Sequence, residues 1–117
     1  MTRIALVLAA AAAFAFAATA QASTPTLKGV TGPGFSIEVK MGGKDVKSLK
    51  AGTYKLVVQD KAAIHNFHLI GPGVSKVVTS IPFVGTKTVT VTLKKGKYTY
   101  QCDAHAASGM KGTFKVI

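Results

Sequence analysis

From Phe35 to the last residue, Ile117, apolar and polar side chains alternate again and again with a period of two. "GFSIEVK" sets Phe35, Ile37 and Val39 on one face, and "TYKLVVQD" sets Tyr54, Leu56 and Val58 on one face with Val57 opposite. "TKTVTVTL" interleaves threonines with Val89, Val91 and Leu93, "GKYTYQC" aligns Tyr98, Tyr100 and Cys102, and "GTFKVI" carries Phe114 and Val116. Successive side chains of an extended chain point to opposite faces, so this pattern, rich in Val, Thr, Tyr and Phe, is that of half-buried β-strands. Turn-forming clusters separate the runs: "TGPG" at 31–34, "MGGKD" at 41–45, "KAG" at 50–52, "GPG" at 71–73 and "KKGK" at 94–97. Past residue 22 there is room only for a short helical turn, in "GKDVKSLK" or in "AHAASG". Seven or eight short strands at this spacing predict an all-β fold, a single-domain antiparallel Greek-key β-sandwich.

The first 22 residues follow different rules. Met1-Thr2-Arg3 is positively charged, an alanine-rich apolar run extends from Ile4 to about Ala18, and Ala20-Gln21-Ala22 is a small-x-small cleavage pattern. This layout predicts a signal peptide over 1–22 and a mature domain over 23–117, exported to the periplasm or the extracellular space. The rival reading is an uncleaved anchor, because the run approaches the roughly 18 residues a spanning helix needs. No other stretch is long and apolar enough to span, and no cysteine near the cleavage site could be acylated.

Residues 23–117 carry 14 lysines, no arginine and four acidic residues. Base and phosphate readers rely on the bidentate guanidinium, so an arginine-free exported domain is not expected to bind nucleic acid. The excess of lysine suits a solvated surface, an acidic partner protein or an anionic membrane surface.

Export favours disulfides, yet the chain has one cysteine, Cys102, which cannot form one within the chain. It lies in "QCDAHAASGM" with His105, one of three histidines, and Met110, one of three methionines. Cys102 ends one predicted strand and Met110 begins the next, so the loop between them can gather thiolate, imidazole and thioether around one point. Two His and one Cys in a plane, with a long axial Met, describe a blue-copper site. The second imidazole must come from "AIHNFHLIGPG". His65 and His68, three apart on a strand, would face opposite ways, and residue spacing alone leaves the choice between them open. Met41, in a turn beside Gly42-Gly43, has no claim on a metal.

The segment "GKYTYQCDAHAASGMKGTFKV" resembles the C-terminal end of plastocyanin and pseudoazurin, members of the cupredoxin family. The matching pattern is Gly-x-Tyr-x-[Tyr/Phe]-x-Cys, then Cys-x2-His-x4-Met with glycine nearby, met here by Cys102, His105, Met110, Gly109 and Gly112. His65-Asn66 is similar to the His-Asn pair that supplies that family's first imidazole. The resemblance implies a cupredoxin fold and one type 1 copper bound by His65, Cys102, His105 and Met110, with Asn66 bracing the site through Asp103 and His68 outside the ligand set. It also implies that His105 is the exposed ligand, ringed by Ala104, Ala106, Ala107 and Gly109 with the "GPG" loop at 71–73 nearby. The family usually has Pro where this chain has Ala104.

The implied function is that of a soluble, monomeric one-electron carrier between redox partners, docking by a salt-sensitive contact with a partner that carries an acidic rim. Lys94, Lys95 and Lys97 should lie roughly 15–25 Å from the metal, at the opposite pole, with Lys111 and Lys76 closer to it. The main alternative is a copper carrier or storage protein. A structural zinc site would leave Met110 idle. Three histidines cannot build the trinuclear cluster of a multicopper oxidase, so the chain is not expected to be an enzyme. A metal-free interaction module is the remaining reading.

Overall fold

The computed structural model describes residues 23–117, and the signal-peptide expectation for 1–22 lies outside the described residues. Ten strands follow in chain order: β1 (Thr26–Thr31), β2 (Ile37–Met41), β3 (Lys44–Asp45), β4 (Ser48–Leu49), β5 (Gly52–Asp60), β6 (Phe67–Gly71), β7 (Val74–Thr79), β8 (Gly85–Leu93), β9 (Gly96–Gln101) and β10 (Lys111–Val116). Eight have five residues or more, and β3 and β4 are two-residue pairings. They replace the helical turn allowed for "GKDVKSLK". The turn allowed for "AHAASG" is present as a 3-10 turn at Ala106–Ser108.

The strands form two five-stranded sheets, in the orders β3-β2-β1-β5-β8 and β4-β10-β9-β6-β7. The sandwich is as expected, but the sheets are mixed rather than wholly antiparallel. β1 runs parallel to β5 (Leu27 opposite Leu56, Thr31 opposite Asp60), and β10 runs parallel to β4. Side-chain alternation is the same in both kinds of ladder, so the sequence pattern carries no signal of strand direction.

The expected inward faces fill the space between the sheets. Tyr54, Leu56, Val58, Val91 and Leu93 from one sheet meet Phe67, Leu69, Tyr98, Tyr100, Phe114 and Val116 from the other, all buried. The aromatic rings pair, Phe67 with Tyr100 at a 6.1 Å centroid separation and Tyr98 with Phe114 at 5.4 Å. The Tyr98 ring lies over Gly71, where a Cβ would collide with it. Its hydroxyl donates to the Pro72 carbonyl (2.8 Å) and accepts from the Lys94 amide (2.9 Å), so the buried phenol keeps its hydrogen bonds. All ten strands and the whole described core lie within Thr26–Val116, so this stretch carries its own core.

Phe35 departs from the strand pattern. It precedes β2, is 70% exposed, and only Val39 of its expected face is fully buried. The glycines and proline of "TGPG" hold the chain in a loop as far as Ser36.

Register defines two poles. Thr31 pairs with Ile37, Asp60 with Gly85, Phe67 with Thr79 and Gln101 with Lys111, so the loops at 32–36, 61–66, 80–84 and 102–110 share one end. Gly52 pairs with Leu93 and Gly71 with Val74, so the 50–51, 72–73 and 94–95 turns share the other. The "GPG" loop at 71–73 therefore sits against Tyr98 and Gly96, at the pole opposite Cys102. The expectation that it neighbours His105 is corrected. β6 leaves the His65 pole and is five residues long, which carries Gly71 away from that pole.

Candidate metal centre

Two loops bring the soft donors together. In the first, Asp60 Oδ1 accepts from the Ala62 amide (3.2 Å) and the Ala62 carbonyl accepts from the His65 amide (3.3 Å). This closed turn delivers His65 to the interior just before β6. In the second, the loop after β9 is laced by its own backbone. The His105 amide donates to the Cys102 carbonyl, the Met110 amide to the His105 carbonyl, and the Cys102 amide to the Met110 carbonyl, at 3.1–3.2 Å. The small residues of "AHAASG" allow so tight a path, and Gly109 ends the 3-10 turn in a left-handed conformation at φ 95°.

The result is a triangle of donor atoms. His65 Nδ1 and His105 Nδ1 are 3.1 Å apart, and Cys102 Sγ lies 3.8 Å from the first and 3.5 Å from the second. A triangle with these sides has a circumradius of about 2.0 Å, so a single point in its plane lies within metal-bond reach of all three atoms. Nitrogen–metal and sulfur–metal bonds to a comparable divalent ion are about 2.0–2.3 Å. His65 and Cys102 are fully buried and His105 is half-buried. Two imidazole nitrogens and a sulfur packed this closely, away from water, form a donor set that an ion satisfies. Among the described residues this is the cluster of at least three His, Cys, Asp or Glu side chains able to hold a metal.

Met110 is buried directly before β10 and is bound through its backbone to both Cys102 and His105. His68 is not in the triangle. Ordinary alternation along β6, with Phe67 and Leu69 buried on either side, puts His68 on the outer side of the sheet, where Nδ1 donates to Asp103 Oδ1 (2.9 Å) and Nε2 meets Ser75 Oγ (3.0 Å). Asn66 spans the two loops: its Nδ2 donates to Asp103 Oδ2 (2.9 Å), and its Oδ1 accepts from the Asp103 amide (2.7 Å). Gln101 Nε2 adds a third side-chain donor to Asp103, at 2.8 Å. Partial burial pushes the Asp103 carboxyl up, but the bonds from Gln101, Asn66 and His68 outweigh it and hold the group below its ordinary value.

Two neighbours of the site were not read from the sequence. Phe35 stands edge-on to both rings, 4.8 Å from His105 and 5.6 Å from His65 between centroids. Its place directly after "TGPG" was the available signal. Gly32, at φ 76°, passes so close to His65 that an added Cβ would lie 2.9 Å from Cδ2. The outer surface at this pole is apolar, with Phe35, Ile64, Ile81 and Val84 all exposed in its loops.

Comparison with known proteins agrees with this geometry. The model of copper binding proteins of the plastocyanin/azurin family matches residues 44–117, which contain every donor described above. No curated protein sequence matches the chain. Among solved structures, the copper protein rusticyanin is similar at 25% identity with a TM-score of 0.56, over 83% of this chain and 80% of that one. Rusticyanin from Thiobacillus ferrooxidans, in a second structure, matches at 24% identity and a TM-score of 0.55, over 83% and 79%. A multi-copper oxidase from Pediococcus acidilactici shares the fold at 17% identity and a TM-score of 0.57, but the match spans only 27% of that chain. The fold, the donor triangle and the family match together place this chain in the plastocyanin/azurin family of copper-binding cupredoxins.

Proposed function

We propose that this protein is a soluble one-electron carrier, exported after removal of residues 1–22, with a type 1 copper held by His65, Cys102 and His105 and by Met110 as the axial ligand. The observation that carries the reading is the planar triangle of two Nδ1 atoms and one Sγ about a point roughly 2.0 Å from each. Copper in such a site supplies a Cu(I)/Cu(II) couple, and a donor set held in one geometry needs little rearrangement between the two states. The chain's own part is to keep the donors fixed. Backbone bonds close the Cys102–Met110 loop, and Asn66 ties it to the His65 loop.

His105 is the donor nearest solvent, under the edge of Phe35. The exposed apolar side chains around it favour close approach of a redox partner, and Lys61 and Lys111 at the rim suit a partner with acidic groups there. An enzymatic role is not proposed. The oxidase neighbour shares the fold alone, and three histidines, two of them in this site, leave only His68, too few for a second copper cluster.

The test is to add Cu(II) to the protein and record visible absorption and the EPR spectrum. An intense thiolate-to-copper band that vanishes on reduction, with a reversible midpoint potential and rapid self-exchange, supports an electron carrier. Tight binding with slow self-exchange would mark a copper store, and a colourless adduct would overturn the site.

A further inference from the structure

The pole away from the donor triangle is strongly basic. Lys47, Lys50, Lys94, Lys95, Lys97 and Lys115 lie in or beside its turns; of the four acidic residues, Asp60 and Asp103 flank the donor-pole loops, Glu38 lies near that pole on β2, and Asp45 alone is in β3, beside the 42–43 turn. Among the described residues none of these six lysines lies within ion-pair distance of a carboxylate. Lys97 and Lys115 face each other directly across β9 and β10, and the Lys115 amide donates to the Lys47 carbonyl (2.9 Å). Like charges opposed across a ladder repel. The arrangement therefore favours any anion that enters between them. A groove of about 460 Å³ opens there, lined by Lys47, Gly96, Lys97, Thr113, Phe114 and Lys115. The Ile117 side chain is exposed at the same end.

We propose that this pole is a docking surface for an anionic lipid bilayer. Two features favour a membrane over an acidic protein. Beyond the groove lined by Lys47, Lys97 and Lys115, the charge extends over the rest of that end through Lys50, Lys94 and Lys95. It is carried by lysine, which binds phosphate as a point charge, without the bidentate fork that arginine brings to a defined carboxylate. β9 runs the height of the molecule, six residues at about 3.3 Å each, so docking by this pole holds the donor triangle about 20 Å from the headgroups and facing away. The proposal does not depend on the metal reading.

The test uses residues 23–117, the stretch that carries its own core, in sedimentation with phosphatidylglycerol–phosphatidylcholine vesicles and with phosphatidylcholine vesicles. We expect binding to the first only, lost when salt rises from about 0.1 M to about 1 M and the screening length falls from about 10 Å to about 3 Å. The triple variant K47Q/K97Q/K115Q should lose about 100-fold in partitioning, about fivefold for each lysine near the surface. K61Q/K87Q/K111Q, with the same change of charge at the other pole, should lose less than about tenfold. Equal loss in both triples would make binding a matter of net charge alone and overturn the proposal. So would absence of binding to phosphatidylglycerol vesicles, or capture of soluble polyglutamate in preference to them, which would mark an acidic protein as the occupant.

Discussion

Asn66 and Asp103, 37 residues apart in sequence, exchange two hydrogen bonds: Asn66 Nδ2 to Asp103 Oδ2 at 2.9 Å, and the Asp103 amide to Asn66 Oδ1 at 2.7 Å. Each is the immediate neighbour of a donor, Asn66 of His65 and Asp103 of Cys102. Asn66 is buried, so truncating it leaves the Asp103 amide without its acceptor. Asn66→Ala should lower the stability of the metal-free protein by about 1–3 kcal/mol, measured by denaturant unfolding. In the copper-loaded protein it should broaden the EPR signal as the two loops lose their common anchor. An unfolding midpoint equal to that of the parent would show the link to be idle.

The Asp103 carboxyl has a pH signature. Burial raises it, but the donors Gln101, Asn66 and His68 together hold it below its unfolded value, which is about 3.9. A folded value below the unfolded one means that Asp103 stabilises the fold above about pH 4, and that this contribution is lost as the pH falls through the lower, folded value. The group is partly exposed, so the effect is modest. Comparing acid unfolding of the parent with that of Asp103→Asn should show a shallower loss of stability below about pH 4 in the variant. Parallel acid transitions in the two proteins would remove the carboxylate from the account.

Met110 is buried and apolar in its packing, so Met110→Leu conserves volume and should cost less than about 1.5 kcal/mol of stability. With Met110 as axial ligand, the same variant should shift the reduction potential and the visible spectrum while Cys102→Ser abolishes the intense band. A Met110→Leu protein with an unchanged potential would leave the thioether as core packing only.

Gly32 sits at φ 76° with His65 against the place a Cβ would occupy. Gly32→Ala should cost about 1–2 kcal/mol from the left-handed backbone alone, and it should displace the His65 ring. The readout is thermal unfolding, together with a changed copper spectrum. A spectrum identical to the parent's would mean that His65 moves independently of this loop.

Charges introduced at the apolar pole test the approach to His105. Ile64→Glu and Ala107→Glu lie in the two donor-bearing loops and are exposed. Each should slow self-exchange by about tenfold or more, because a carboxylate must lose its water where two apolar faces meet, and should leave the colour of the copper protein intact. Unaltered self-exchange would place the electron's route elsewhere.

Much of this protein is written locally. The alternation through Tyr54, Leu56 and Val58, and through Tyr98, Tyr100 and Cys102, depends only on the two-residue repeat of an extended chain, and the buried faces follow it. The spacing of Cys102, His105 and Met110 is also local, so one tight loop suffices to gather them. Phe35 was misplaced for a physical reason. Its period-two match with Ile37 and Val39 is real, but the preceding glycines and proline keep the chain out of the sheet until Ile37, which frees the ring to lie against the imidazoles.

The sequence by itself determined that there would be a β-sandwich, which faces would be buried, and that three soft donors would share a loop. Only the tertiary structure decided between His65 and His68 where residue spacing left the choice open, that β1 and β10 each run parallel to a neighbour, and that the "GPG" loop at 71–73 lies at the far end with the lysines. The reason is one of range. Side-chain periodicity is set by neighbouring bonds, whereas the 3.1 Å approach of His65 to His105 spans 40 residues and depends on how β6, β9 and β10 register within one sheet.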